Sequence, residues 1–135
     1  MARIRWDDSM RSGVAELDEL HQDLTAVLAD LGDAHLREAD PELLQDMAEE
    51  FSDLARHVFG VEEDRMAEAG FPDAAAHRAE HAAMLRECAA PLLDFADGEG
   101  DLTCALLDDL AERWAAHLAG ADRSLAQFLA KLPQS

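Results

Sequence analysis

The chain has 135 residues, 49% of them hydrophobic and 30% charged, with 30 acidic against 11 basic residues and a formal charge of -19. That length and balance predict one domain with a single core, and so acidic a surface repels phosphate backbones and anionic lipid, which excludes nucleic acid and membranes as expected partners. With no Tyr and few β-branched residues beside abundant Ala, Leu, Glu, Asp and Arg, the composition reads as all-α. No apolar run reaches the roughly 18 residues of a spanning helix, and Met1 to Asp8 lacks a signal-peptide core, so a cytoplasmic location is expected. Cys88 and Cys104 have neither redox nor zinc spacing and read as reduced thiols packed in helices.

Punctuation residues divide the single domain, 1–135, into an extended N-terminal arm, 1–12, and four helices at roughly 13–38, 41–69, 72–97 and 101–131. The arm has no helical pattern and is expected to lie across the helices and bury Trp6. In the first helix Val14, Leu17, His21, Leu24, Leu28, Leu31 and His35 recur at alternating steps of three and four, the seam of a helix packed lengthwise on others. Asp40-Pro41 reads as an N-cap and first helical position for the second, whose stripe includes Leu44, Met47, Phe51, Leu54, Val58 and Val61 before Gly70 stops it. Pro72 opens the third, with His77, His81, Met84, Cys88 and Phe95 on one stripe and Pro91 set to kink it or split off its last turn. Asp101 is the expected cap of the fourth, lined by Leu106, Leu110, Trp114, His117, Leu125 and Phe128 until Pro133. Short connections make neighbours antiparallel, and the expected fold is an up-down-up-down four-helix bundle.

Five of the six histidines fall on inward stripes, at least one per helix: His21, His57, His77, His81 and His117. His77 and His81 lie about 40° apart around their helix and one turn apart along it. A single core histidine is ordinarily a hydrogen-bonded packing residue, but five crowded imidazoles would leave many buried polar atoms unpartnered, and a metal satisfies one nitrogen of each. Glu62 and Glu63 follow His57, and Asp122 follows His117, so carboxylates stand at matching levels. Imidazole with carboxylate suits iron, manganese or zinc, and no cysteine belongs to the cluster. His35 lies 14 residues beyond His21, about 21 Å along the axis, too far to share its metals.

These motifs resemble the bacterial hemerythrins across essentially the whole chain. Trp6-Asp7-Asp8-Ser9, Gly13-Val14 and Leu17-Asp18-Glu19-Leu20-His21 resemble the family opening, with Leu20 in place of the usual Gln. Glu62-Glu63-Asp64-Arg65-Met66, Gly70-Phe71-Pro72, His77-x-x-x-His81 and His117-Leu118-x-x-x-Asp122 follow the family's order and spacing. The resemblance implies two non-haem iron ions, one held by His77, His81 and His117, the other by His21 and His57, with Glu62 and Asp122 bridging both. It also implies dioxygen as a reversibly bound ligand, for storage, delivery or sensing, and no enzymatic turnover. The protein partner is unspecified.

Two departures from the pattern bear on that set. The family's second-helix motif places ligand His and Glu four apart, whereas His57 and Glu62 are five apart, about 140° around a regular helix. Read without a gap, Val58 takes the ligand position and the metal nearest His21 loses an imidazole, which would leave the second metal weak or absent. A single-turn π-bulge eased by Gly60 would return His57 inward, or the longer spacing is simply spanned, as between His117 and Asp122; on either account His57 is the expected ligand. In the fourth helix the positions usually occupied by Trp-Leu are Arg113 and Trp114, so Trp114 stands against the pocket as a wall, an N–H donor or plain core packing.

The rival functions are a di-iron oxidase or peroxidase acting on dioxygen, peroxide or nitric oxide, and an iron reservoir. A ferritin-like ferroxidase is disfavoured because no Glu-x-x-His pair occurs, and a metal-free interaction bundle is hard to reconcile with five inward histidines.

Overall fold

The computed structural model describes residues 4–132, so the first three residues of the expected arm and the Pro133 stop lie outside the described residues. Four helices and no strand occur among those described. Helix α1 is Ala15–Leu36 and α2 is Pro41–Ala69. Helix α3 begins as Ala74–Met84, passes through a π-helical turn at Leu85–Ala89 and ends as Ala90–Ala96. Helix α4 is built the same way, from Cys104–His117, a π-helical turn at Leu118–Asp122, and Arg123–Ala130.

Side-chain contacts fix the antiparallel registers. His21 meets Asp122 near the start of α1, while His35 meets the Leu102 carbonyl near its end. Glu63 of α2 reaches His81, and Gln45 at its other end reaches the Phe95 carbonyl. His117 pairs with Glu80, and Cys88 with Asp109. The up-down-up-down bundle is therefore present as expected.

The helix ends follow local chemistry, with small departures from expectation. Pro41 occupies the first turn of α2, and Gly70 ends the helix in the left-handed conformation, φ 66. The cap of α4 is Thr103, whose hydroxyl accepts from the Leu106 N–H at 3.1 Å, so the helix starts three residues after Asp101. Asp73, not Pro72, immediately precedes α3. The π turn before Pro91 takes up the disturbance of a ring with no N–H to donate, so α3 continues through Pro91 without splitting.

The arm is tied down by polar contacts. Residues Asp8–Met10 form a 3-10 turn capped by Asp7, Arg5 pairs with Asp33 at 2.8 Å, and Arg123 donates to the Ser9 carbonyl at 3.0 Å. Among the described residues of the arm Ile4 is the buried one, whereas Trp6, expected to be buried, is only half-buried. Asp18 does the work of a cap for α1: its buried carboxylate accepts from the Ser12 N–H and hydroxyl, both at 2.7 Å, and from the Gly13 N–H at 3.1 Å.

The core has two parts. The larger runs through Leu24, Leu28, Leu31, Phe51, Val58, Leu92, Leu110 and Trp114 toward the α1–α2 connection, and the smaller joins Leu17, Met66, Phe71 and Leu125 at the opposite end. Cys88 is buried, but Cys104 is exposed, against the expectation that both thiols pack inside.

Helix α1 closes with Ala39 N–H donating to the Ala34 carbonyl and Glu38 N–H to the His35 carbonyl, a Schellman arrangement with Glu38 at φ 57. A non-glycine residue there works against its Cβ. Glu38→Gly should stabilise the chain by about 0.5–1 kcal/mol, read as a raised urea midpoint at unchanged slope.

Candidate metal centre

Between the two apolar clusters lies a layer of buried titratable groups. His21, Glu62, His77, His81, His117 and Asp122 are each no more than 2% exposed. Ligand atoms of Glu62, His77, His81, His117 and Asp122 all lie within 4.8 Å of one another, and this is the group among the described residues arranged to hold a cation.

The two carboxylates divide their oxygens between two sides. Toward α3 and α4, Glu62 Oε1 lies 3.0 Å from His81 Nε2, 3.8 Å from His77 Nε2 and 4.0 Å from His117 Nε2. Asp122 Oδ1 lies 3.2 Å from His77 Nε2 and 3.0 Å from His117 Nε2. Toward α1, Glu62 Oε2 and Asp122 Oδ2 lie 3.1 and 3.3 Å from His21 Nε2. One side thus has three imidazoles and the other has one.

A turn of π-helix makes this possible in α4. His117 and Asp122 are five residues apart, which on a regular helix would point them about 140° apart. The π turn at Leu118–Asp122 absorbs the extra residue and brings Asp122 Oδ1 to 3.0 Å from His117 Nε2. Helix α2 contains no such turn. It is α-helical from Pro41 to Ala69, so the same five-residue spacing leaves His57 exposed while Val58, four residues before Glu62, is fully buried. The expectation that His57 turns inward is therefore corrected: the inward positions are taken by Val58 and by Phe59, whose ring stacks on His81 at 4.0 Å.

Carboxylates at the surface hold the outer nitrogens of two imidazoles. His81 Nδ1 lies 3.0 Å from Glu63 Oε2, and His117 Nδ1 lies 3.2 Å from Glu80 Oε1. A proton held on each Nδ1 leaves the Nε2 lone pair facing inward. Glu80 was missed in the sequence; it stands next to His81 but serves His117 on the neighbouring helix, a pairing across helices that no spacing within α3 announces. Trp114 is both wall and donor: its Nε1–H reaches Thr25 Oγ1 at 2.8 Å, the Thr25 hydroxyl donates to the His21 carbonyl at 2.7 Å, and the indole packs against His21 and His117. His35 is half-buried at the far end of α1, its Nε2 facing the Leu102 carbonyl, as expected outside the cluster.

The donor set fits a metal. His81 Nε2 and His117 Nε2 face each other at 3.1 Å, an arrangement of two lone pairs that requires a proton or a cation between them. His77 Nε2, Glu62 Oε1 and both Asp122 oxygens are buried with no hydrogen bond among the described residues, and all aim at the same space. Without a metal, protons take its role. Burial lowers the basicity of His77 and His117, but contacts with Asp122 and Glu62 outweigh it and raise them to about 9 and about 10. His21 is raised in the same way despite its burial, by Glu62 and Asp122. Burial pushes Glu62 up, yet its polar contacts with Asp122, His117, His21 and His77 hold it well below the ordinary value.

The chain is also similar in sequence to known cation-binding proteins. The sequence profile described as Hemerythrin HHE cation binding domain matches residues 12–129. The chain is 28% identical over 130 residues to a protein named Bacteriohemerythrin from Stenotrophomonas maltophilia, covering 93% of this chain and 81% of that one. It is also 28% identical over 116 residues to a Bacteriohemerythrin from Pseudomonas aeruginosa, covering 84% and 72%. No solved structure matches it.

The raised imidazoles give the metal-free chain a pH-dependent stability. His77 and His117 bind protons more tightly folded than unfolded, so their contribution is complete below about pH 6.5 and is lost as pH rises through their folded values of about 9 and about 10. The urea midpoint of chelator-treated protein should fall steadily from pH 7 to pH 9, a window below the titration of the buried Cys88 thiol, which burial pushes up to about 11. A flat profile would show that these imidazoles are neutral in the folded chain.

Proposed function

Because the chain belongs to the hemerythrin HHE cation-binding family, we propose that the buried layer holds two non-haem iron ions bridged by Glu62 and Asp122 and binds dioxygen reversibly. The observation that carries this reading is the division of the carboxylate oxygens, one from each toward His77, His81 and His117 and the other from each toward His21. Two adjacent cations need shared carboxylates, and a lone packing network does not arrange its acceptors this way.

Iron bound there would supply the reversible dioxygen binding that no side chain in the layer provides. The chain's own part is to position, neutralise and exclude. Glu63 and Glu80 keep the Nδ1 protons of His81 and His117 in place, which orients both rings. Phe59, Trp114 and the leucines of the larger core shut water out on one side, and Leu17, Met66, Phe71 and Leu125 on the other. In such a dry site a proton has few routes in, which favours release of an unreduced ligand over its reduction. Storage, delivery and sensing are all consistent with that role.

A second reading, an oxidase or peroxidase acting on dioxygen, peroxide or nitric oxide, is favoured by one observation. With His57 outside, the His21 side has a single imidazole and is the more open to exogenous ligands. An iron reservoir is the remaining alternative.

Anaerobic loading with ferrous iron, followed by metal counting and repeated cycles of air and vacuum under optical recording, separates these. Two irons per chain, counted with ferrous iron in excess, and a spectrum that returns on each cycle are expected; one-way oxidation with peroxide release or rapid peroxide consumption would replace the carrier reading with the enzymatic one.

A further inference from the structure

We infer that the two metal positions are unequal and fill in a fixed order, with a tightly held ion on His77, His81 and His117 and a weakly held, exchangeable ion on His21. The inference rests on the reading that the layer binds metal, and it concerns what this chain's own residues do to the pair.

The first position draws on five protein atoms: the Nε2 atoms of His77, His81 and His117, with Glu62 Oε1 and Asp122 Oδ1. The second draws on three: His21 Nε2, Glu62 Oε2 and Asp122 Oδ2. Among the described residues, no neighbouring side chain makes up the difference. Val58 is buried at the step before Glu62 where an imidazole would face inward, and it has no donor atom. His57 is exposed on the adjoining face.

The other polar groups nearby are already engaged. Both Asp18 oxygens are engaged just ahead of α1, one accepting from Ser12 and the other from Gly13. Thr25 donates to the His21 carbonyl and accepts from Trp114, whose indole nitrogen is a donor only. Met66 packs with Leu17, Phe71 and Leu125. The second position therefore has one imidazole and two shared oxygens, and water or an exogenous ligand must complete it.

The magnitude follows from the worth of a ligand. Loss of a mere supporting partner of a metal-bound group typically weakens binding about 10- to 100-fold, so a missing imidazole in direct contact should cost at least the upper end of that range. The carboxylates reinforce the order, because oxygens shared with an ion already bound would offer less negative charge to a second, which would also meet the positive charge of the first. A chain built this way accepts a different metal in the second position without losing the first.

The test is an anaerobic titration of the full chain with Co(II), followed by optical absorption, and repeated with ferrous iron followed by dialysis and metal counting. Two binding events are expected, the second at least about 100-fold weaker, with only the first ion surviving dialysis. Val58→His should bring the second event to within about tenfold of the first, while His57→Ala changes neither. Should Val58→His fail to fold by circular dichroism, His21→Ala decides the matter by removing the second event and sparing the first. Two equally tight events in the natural chain, an unchanged gap in folded Val58→His, or loss of both events in His21→Ala would overturn the inference alone. Absence of any binding would overturn the proposed function with it.

Discussion

Everything in this bundle is arranged around two buried carboxylates shared among four imidazoles. Glu62 and Asp122 each present one oxygen to either side of the layer, and every helix contributes at least one member, His21 from α1, Glu62 from α2, His77 and His81 from α3, and His117 and Asp122 from α4. Such a concentration of polar groups is costly in an apolar interior unless the charges are balanced. Protons achieve that in the metal-free chain, through the raised basicity of His77 and His117, and cations would achieve it better by occupying the space where Nε2 lone pairs and carboxylate oxygens converge. The two apolar clusters on either side keep solvent from doing the same.

The layer also sets the register of the parts around it. Asp18, one turn before His21, turns away from the centre to fasten Ser12 and Gly13, so the start of α1 and the arm are held by the same segment that supplies an imidazole. On the next turn Thr25 ties the His21 backbone to the Trp114 indole of α4. The His21 side chain is thus placed by contacts before and after it, even though few donors accompany it.

Most of the fold was legible in the sequence, because each helix carries a three-and-four stripe and Pro41 and Gly70 mark the ends of α2 as found. Six of the seven expected site residues, His21, Glu62, His77, His81, His117 and Asp122, meet in one layer, and His57 does not. The reason it was not legible is instructive. Helices α2 and α4 both carry a histidine, four intervening residues with a glycine among them, and then an acid: His57 to Glu62 around Gly60, and His117 to Asp122 around Gly120. Only α4 inserts a π turn. In α2 the inward steps are already filled by Val58 in the core and Phe59 stacked on His81, and a slip of one residue would tear both from their places. That decision belongs to tertiary packing, which a single helix does not record. Glu80 escaped for a related reason, since its partner is on another helix.

The carboxylates that orient His81 and His117 have a wider consequence. Glu63 and Glu80 are not enclosed; their side chains are 36% and 55% exposed, yet each touches an imidazole that is 1% exposed. The electron richness of two deeply buried rings is therefore adjustable from outside the molecule. A surface neighbour of either acid, a bound counterion or a docking surface with positive charge would act on the centre through these two handles without entering it. Tuning of the site during evolution then requires no repacking of the core, only changes of charge on the exposed faces of α2 and α3.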